Sequence, residues 1–224
     1  MFDFLDLERY DLFGAFWVTV QLTVFSGIGA LVWGTILAGM RVSPVPVMRA
    51  FGTGYVNVVR NTPLTLIIVF CSLGLNQTLG IALLGEDFEV INFRLAILGL
   101  AAYTASFVCE AVRSGINTVP MGQAEAARAL GLGFGQVLRL IVLPQAFRSV
   151  IAPLANVLIA LTKNTTVASA IGVAEAAFLM SEMIENESDA VLLVFSTFAL
   201  GFILLTLPTG LLLGRLSKRV AVKR

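Results

Sequence analysis

Five long apolar runs, separated by short polar stretches, divide this chain. They cover roughly 13–39, 55–84, 95–112, 149–174 and 190–214. Most reach the ~20 residues that a helix rising ~1.5 Å per residue needs to cross about 30 Å of hydrocarbon. The third is at the short limit. None alternates residue by residue as a barrel strand would, so the runs predict an all-α integral membrane bundle of five transmembrane helices. Pro63 sits near the start of the second run, and whether its span begins near Tyr55 or near Leu64 stays open.

The composition points the same way. The 224 residues are 58% hydrophobic and only 13% charged, with a mean hydropathy of +0.91, whereas a soluble domain is about a quarter charged. The acidic residues gather in the N-terminal arm, in the 85–94 loop and in the 175–189 loop, with Glu110 and Glu125 as the exceptions. Most of the 15 basic residues gather in the alternate segments, from Arg41 to Arg60, from Arg113 to Arg148, and from Arg215 to the end. With five spans, this bias places the N-terminus outside and the C-terminus inside. Residues 1–224 then form a single transmembrane domain, with a cytoplasmic loop over about 113–148 and no soluble domain or internal repeat. The start "MFDFLDLERYDLF" lacks the basic opening of a signal peptide.

Chemistry is sparse. The chain has no histidine, and Cys71 and Cys109 lie inside apolar runs as expected buried thiols. No nucleophile-and-base set and no metal spacing is present, so no cofactor and no catalytic residue are expected. The net charge of +1 gives no pull toward nucleic acid.

The cytoplasmic loop is unusual. "MGQAEAARAL" favours helix, Gly131, Gly133 and Gly135 break it, "QVLRLIV" favours helix again, and Pro144 marks a boundary. Its alanines make a small, smooth patch that suits docking of a soluble partner. The other reading is a helix lying on lipid headgroups, which would call for more Lys, Trp and Phe.

Glu125-Ala126-Ala127, Gly131, Ile141 and Leu143-Pro144 match the EAA loop of ABC-importer permeases at each signature position. "RNTPLTLIIVF" at 60–70 resembles the R-G-T-P-L segment of polar amino-acid permeases, with Asn61 in place of the usual glycine. The stretch from Ala124 to Val173 is similar to that subfamily nearly throughout. The chain therefore resembles the polar amino-acid uptake family, and most closely its glutamate-uptake members. The resemblance implies a permease of the bacterial cytoplasmic membrane, itself not an enzyme. It also implies two cytoplasmic ATPase subunits, an extracytoplasmic solute-binding protein and a second permease, identical or homologous. Glu125, Ala126, Ala127, Gly131 and Pro144 would belong to the segment that couples to the ATPase. Which amino acid is carried, and whether the pair is a homodimer or a heterodimer, stays open.

A second anomaly is "LTKNTT" at 161–166, inside the fourth run. Lys163 lies ~21 Å along a helix from Ser149, at or beyond the midplane, where an ammonium costs ~2.5–3.5 kcal/mol to insert. Thr162, Asn164, Thr165 and Thr166 suggest a local break lining a polar cavity. In one reading Lys163, Asn164 and Thr165 meet a polar substrate. In the other Lys163 pairs with Glu110 or another internal acid, or snorkels outward. Thr62, beside Pro63, is a further candidate for the path, or else part of a helix-entry turn, and Arg60 carries the same ambiguity. The alternatives to an importer are a membrane-embedded enzyme, for which no catalytic set is found, and an ion channel, which would not need an EAA loop.

Overall fold

The computed structural model describes residues 10–81 and 87–220. Asp3, Asp6, Glu8, Arg9, Glu86, Lys223 and Arg224, all part of the charge pattern, lie outside them. The described residues are helical, with no strand among them. The elements are α1 (Leu12–Arg41), α2 (Pro46–Asn61), α3 (Leu64–Val69, continuing as a π-helix over Phe70–Thr78), α4 (Phe88–Ile116), α5 (Met121–Ala129), α6 (Phe134–Val137), α7 (Leu143–Ser149), α8 (Ile151–Asn164, continuing as a 3-10 helix over Thr165–Ile171), α9 (Ala176–Asn186) and α10 (Val191–Val220). Among the described residues, four helices are long and apolar enough to cross a bilayer, or five crossings if the bent α2–α3 pair counts as one.

α1 and α4 form the centre, and small residues set their distance. Gly34 lies so close to α4 that an added Cβ would sit 2.6 Å from Val108 Cβ and 2.7 Å from the Ala105 carbonyl oxygen. Gly29 faces Ala101 in the same seam, and the Ser26 hydroxyl donates across it to the Ile97 carbonyl at 3.3 Å. Within a bilayer, water drives no association, so close backbone approach and its dispersion contacts carry the pairing. Leu37, Ala38, Val56, Ala105, Val108 and Val112 form one core around this seam. Leu22, Leu64, Ile68, Ala96, Leu100 and Leu161 form a second.

The second apolar run is not a single stretch over 55–84. Its two halves meet at 106°. Pro63 has no N–H to give and holds Thr62 extended at ψ 133°. Two carbonyls of the last turn are capped from the side chains: Thr62 Oγ1 donates to the Val58 oxygen at 2.8 Å, and Asn61 Nδ2 to the Asn57 oxygen at 2.7 Å. Tyr55 therefore belongs to α2, and α3 begins at Leu64. At the far end Ser72 donates to Asn92 Oδ1 at 2.9 Å, and Asn92 Nδ2 donates to the Ile171 carbonyl at 2.7 Å. This buried relay ties α3, α4 and the 3-10 segment together.

Three more boundaries differ from the sequence expectation. The third run, read as 95–112, is a helix of 29 residues, because Phe88 to Arg94 and Arg113 to Ile116 extend it at its polar ends. The fourth run breaks at Val150 (φ −112°, ψ 13°) before α8 begins. The acidic 175–189 stretch, read as a loop, contains α9. Its N-cap is Glu175, whose carboxylate accepts from the Ala177 and Phe178 amides at 2.9 and 3.0 Å. Glu175 is fully buried where α9 meets α1, and the Ala176 amide donates to Thr19 Oγ1 beside it.

Gly34→Leu is expected to lower the melting temperature of the purified protein markedly, since overpacking a tight seam costs about 1–3 kcal/mol or more. Gly27→Ala, whose Cβ would meet the Leu158 and Leu161 side chains at ordinary contact distances of 3.4 and 3.6 Å, is expected to be tolerated. Burial lifts Glu175 from 4.5 to about 7. The folded state holds this proton more tightly than the unfolded chain, so the contribution is full below pH 4.5 and is lost as pH rises through 7. Thermal melts across that window should show the decline in wild type and a flatter profile in Glu175→Gln.

Candidate functional site

α5 begins after Pro120 and ends at Gly131, which takes φ +87°. The Gly131 amide donates to the Arg128 carbonyl at 2.9 Å and the Leu132 amide to the Ala127 carbonyl at 3.2 Å. These two bonds make a Schellman cap, with Leu132 packing back near Ala127 as such caps require. Nothing lies within 4 Å of a Cβ at Gly131, so the demand for glycine comes from backbone conformation and not from space.

The two faces of α5 differ. Ala127 is buried against Val137 and Val142, whereas Glu125 and Ala126 are exposed. Leu130, at the tip, is 85% exposed. Beneath the helix a cavity of about 500 Å³ runs between Val42, Ile116, Ala124, Arg128, Phe134 and Val142. α5 therefore touches the bundle along a narrow line and presents an open outer face. Small side chains there let another surface come close.

Connections to the bundle are specific. Gln145 Nε2 donates to Gln123 Oε1 at 2.6 Å and to the Ile141 carbonyl at 2.9 Å, joining α5 to α7. Thr118 and Ser149 hydroxyls meet at 3.3 Å. Gly115 at the end of α4 admits α7 so closely that a Cβ would lie 2.7 Å from the Ala146 carbonyl. Pro144 stands at the start of α7, after a π-helical turn over Leu138–Val142. Without an N–H it cannot continue the α ladder, and the chain widens before it.

The mid-chain polar residues fall into two groups. Lys163 is exposed and has no carboxylate partner among the described residues. Glu110 instead pairs with Arg41, which also abuts Gly52 of α2. This settles against a Lys163–Glu110 pair, because Arg41 brings the guanidinium from α1 into the same position. The hydroxyls of Thr162, Thr165 and Thr166 bond to carbonyls of their own helix at 2.8–3.1 Å. Their hydroxyls are spent within the helix, although Thr162 also lines a separate space between α1, α8 and α10. Thr165 and Thr166 accompany its tightening from α to 3-10, where the i−3 carbonyl comes within reach. Thr62 is likewise engaged at the α2–α3 bend.

Asn164 does reach a cavity. About 380 Å³ of space lies between α4 and α8, lined by Tyr103, Thr104, Phe107, Asn156, Ala160 and Asn164 together with Val157. Thr104 stands ~24 Å from the start of α4 and ~18 Å from its end, near mid-helix. The Arg60 guanidinium lies over the Phe107 ring, 5.6 Å from its centroid. Tyr103, Thr104 and Asn156 were not singled out from the sequence. Asn156 could have been, as a lone amide in an apolar run two helical turns before Lys163. Nothing in the sequence marks Thr104.

Residues 30–222 match the family described as binding-protein-dependent transport system inner membrane component. The chain is 58% identical over 218 residues to the glutamate transport system permease protein GluC of Corynebacterium glutamicum, covering 96% of each. It is 30% identical over 209 residues to the glutamate/aspartate import permease protein GltK of Escherichia coli O157:H7, covering 91% of each. Its structure resembles the crystal structure of an amino acid ABC transporter with histidines, with a TM-score of 0.76 and 25% identity over 97% of this chain and 98% of that one.

Gly131→Val should strain the cap by about 1–2 kcal/mol, since an L-residue pays for φ above zero. Gly131→Asn should strain it less. In the assembled transporter the expected order of substrate imported per ATP hydrolysed is wild type, then Asn, then Val. Equal ratios for all three would show that the cap plays no part in coupling.

Proposed function

This chain belongs to the family of binding-protein-dependent transport system inner membrane components, and we propose that it carries glutamate across the bacterial inner membrane. It is a multi-pass membrane permease, a transport component and not an enzyme. As an importer permease it works with an ATPase and a substrate-binding protein. The near-full-length match to a glutamate permease is the observation that supports the substrate reading.

In the arrangement proposed, two ATPase subunits bind on the cytoplasmic side, and a second permease, identical or homologous, completes the path. The N-terminus lies outside and the C-terminus inside, following the basic residues. Glu125, Ala126, Ala127, Gly131 and Pro144 form the coupling segment. α5 offers its exposed face to the ATPase, Gly131 holds the turn that ends α5, and Pro144 marks the passage from the π-helical turn into α7. When ATP closes the ATPase, α5 moves with α7 through Gln123–Gln145, and α4 moves with α7 through the close approach at Gly115. Alternating access follows if that movement opens one end of the path and closes the other.

Lys163, Asn164, Thr165 and Thr62 belong to the substrate path in this reading. An exposed ammonium mid-span is costly against lipid and favourable against a carboxylate. Thr165 and Thr62 shape the backbone there and do not offer free hydroxyls.

Uptake of a labelled amino-acid panel should show glutamate transport that depends on this chain. Lys163→Ala should reduce it about tenfold, roughly 1.4 kcal/mol, with permease and ATPase levels in the membrane unchanged. Selective loss of a basic or neutral amino acid in cells without the chain would overturn the glutamate assignment. Unchanged kinetics in Lys163→Ala would remove that residue from the path.

A further inference from the structure

The helical period puts Met121, Ala124 and Arg128 on one stripe of α5, at i, i+3 and i+7. That stripe lines the cavity of about 500 Å³ beneath the helix, whereas Glu125 and Ala126 lie off it and are exposed. The other walls come from two directions. Val42 caps α1 and Ile116 ends α4, so one wall lies where two long apolar helices finish. Phe134, from the segment after the Gly131 turn, helps to close the far side.

Among the lining side chains only Arg128 and Asn117 are polar. Arg128 is exposed and forms no ion pair with a described residue, Glu125 one turn back included. Around it Ile116, Val119, Ala124 and Leu138 line the hollow and are only partly buried. Apolar walls with one or two polar groups to fix orientation, enclosing ~300–1,000 Å³, are the pattern of a small-molecule site. A guanidinium receives carboxylate oxygens with a planar fork of N–H donors, and such charge-assisted bonds are the strong ones.

We infer that this cavity binds a long-chain fatty acid, with its acyl chain between α5 and the ends of α1 and α4 and its carboxylate on Arg128. The walls call for an apolar body and Arg128 for an anionic head. The place supplies both, because acyl chains give way to head groups at the level where membrane-spanning helices end. A cavity of about 500 Å³ has room for one long acyl chain and not for the two of a diacyl lipid. The Asn117 amide can donate to the same carboxylate. An acyl chain in the hollow replaces empty space under α5 with dispersion contacts, and so braces the helix from beneath. The site is separate from the exposed face of α5 and from the α4–α8 cavity, and its occupancy does not depend on which solute is carried.

The probe is a palmitate analogue carrying a photoreactive diazirine in its chain. It is applied to the purified permease–ATPase complex in phosphatidylcholine nanodiscs, and adducts are located by mass spectrometry. They should fall on the cavity walls, at Ile116, Phe134 or Leu138. Excess palmitate should suppress them, and excess palmityl alcohol, with the same chain and no charge, should not. Arg128→Gln should raise the palmitate concentration for half-maximal labelling about tenfold, as loss of a charge-assisted hydrogen bond implies. Arg128 is exposed, so this variant leaves the packing untouched. Arg128→Lys should raise it less. Ala124→Leu fills the hollow from α5 and should abolish the cavity adducts. Palmitate should raise the melting temperature of wild type and not of Ala124→Leu. Adducts only on other helices, equal competition by the alcohol, or undiminished labelling in Arg128→Gln would each overturn the proposal. Phosphatidylglycerol recovered with the complex, with no palmitate adduct in the cavity, would overturn it in favour of a diacyl lipid.

Discussion

A bilayer core has no water to give, so each polar group carried into it must find a partner within the protein or face a cavity. This constraint organises the chain. Backbone groups close into helices, and most span hydroxyls fold back onto their own carbonyls. Asn92 bridges Ser72 and Ile171, and Arg41 meets Glu110. Where the helix must break, at Thr62 and Pro63, side chains cap the freed carbonyls. With so much satisfied internally, the exceptions become informative. Lys163, Asn156, Asn164 and Thr104 are polar, lie between the ends of the long helices, and are left without side-chain partners among the described residues.

The same frame explains how one end of the molecule can act on the other. The α1–α4 seam is packed without slack at Gly34, and α7 is pressed equally close to α4 at Gly115. α5 hangs from this frame by a few contacts over a hollow. A force on its exposed face has little room to dissipate in bending. In the coupling proposed above, it passes through α7 toward α8, which carries Asn156 and Asn164 on the cavity wall.

Much of this was legible in the sequence, and the limits have physical causes. Apolar length and charge bias delimit the long helices, because the bilayer imposes one thickness on all of them. Gly131 and Pro144 announce interruptions whatever surrounds them: Gly131 stands at the turn after α5, whereas at Pro144 the chain stays helical and passes from a π-helical turn into α7. Pro63 signals an interruption, but its angle depends on what α2 packs against, and Gly52 and Val56 bury only once α1 and α4 are in place. α9 was hidden because acidic residues read as a solvated loop, and the burial of its cap, Glu175, is set by α1 far away in sequence. Thr104 was invisible for the same reason. Its neighbours in sequence are ordinary, and only the space between α4 and α8 shows that its hydroxyl has no partner.

Alternating access at the α4–α8 cavity is the central claim, and side-specific labelling tests it most directly. Cys71 and Cys109 are buried free thiols and would first be replaced. A single cysteine at Asn164 would then be probed in proteoliposomes with a membrane-impermeant thiol reagent from each side. It should react from one side without nucleotide, and from the opposite side with ATP and binding protein present. Reaction from the same side in both states would contradict the account.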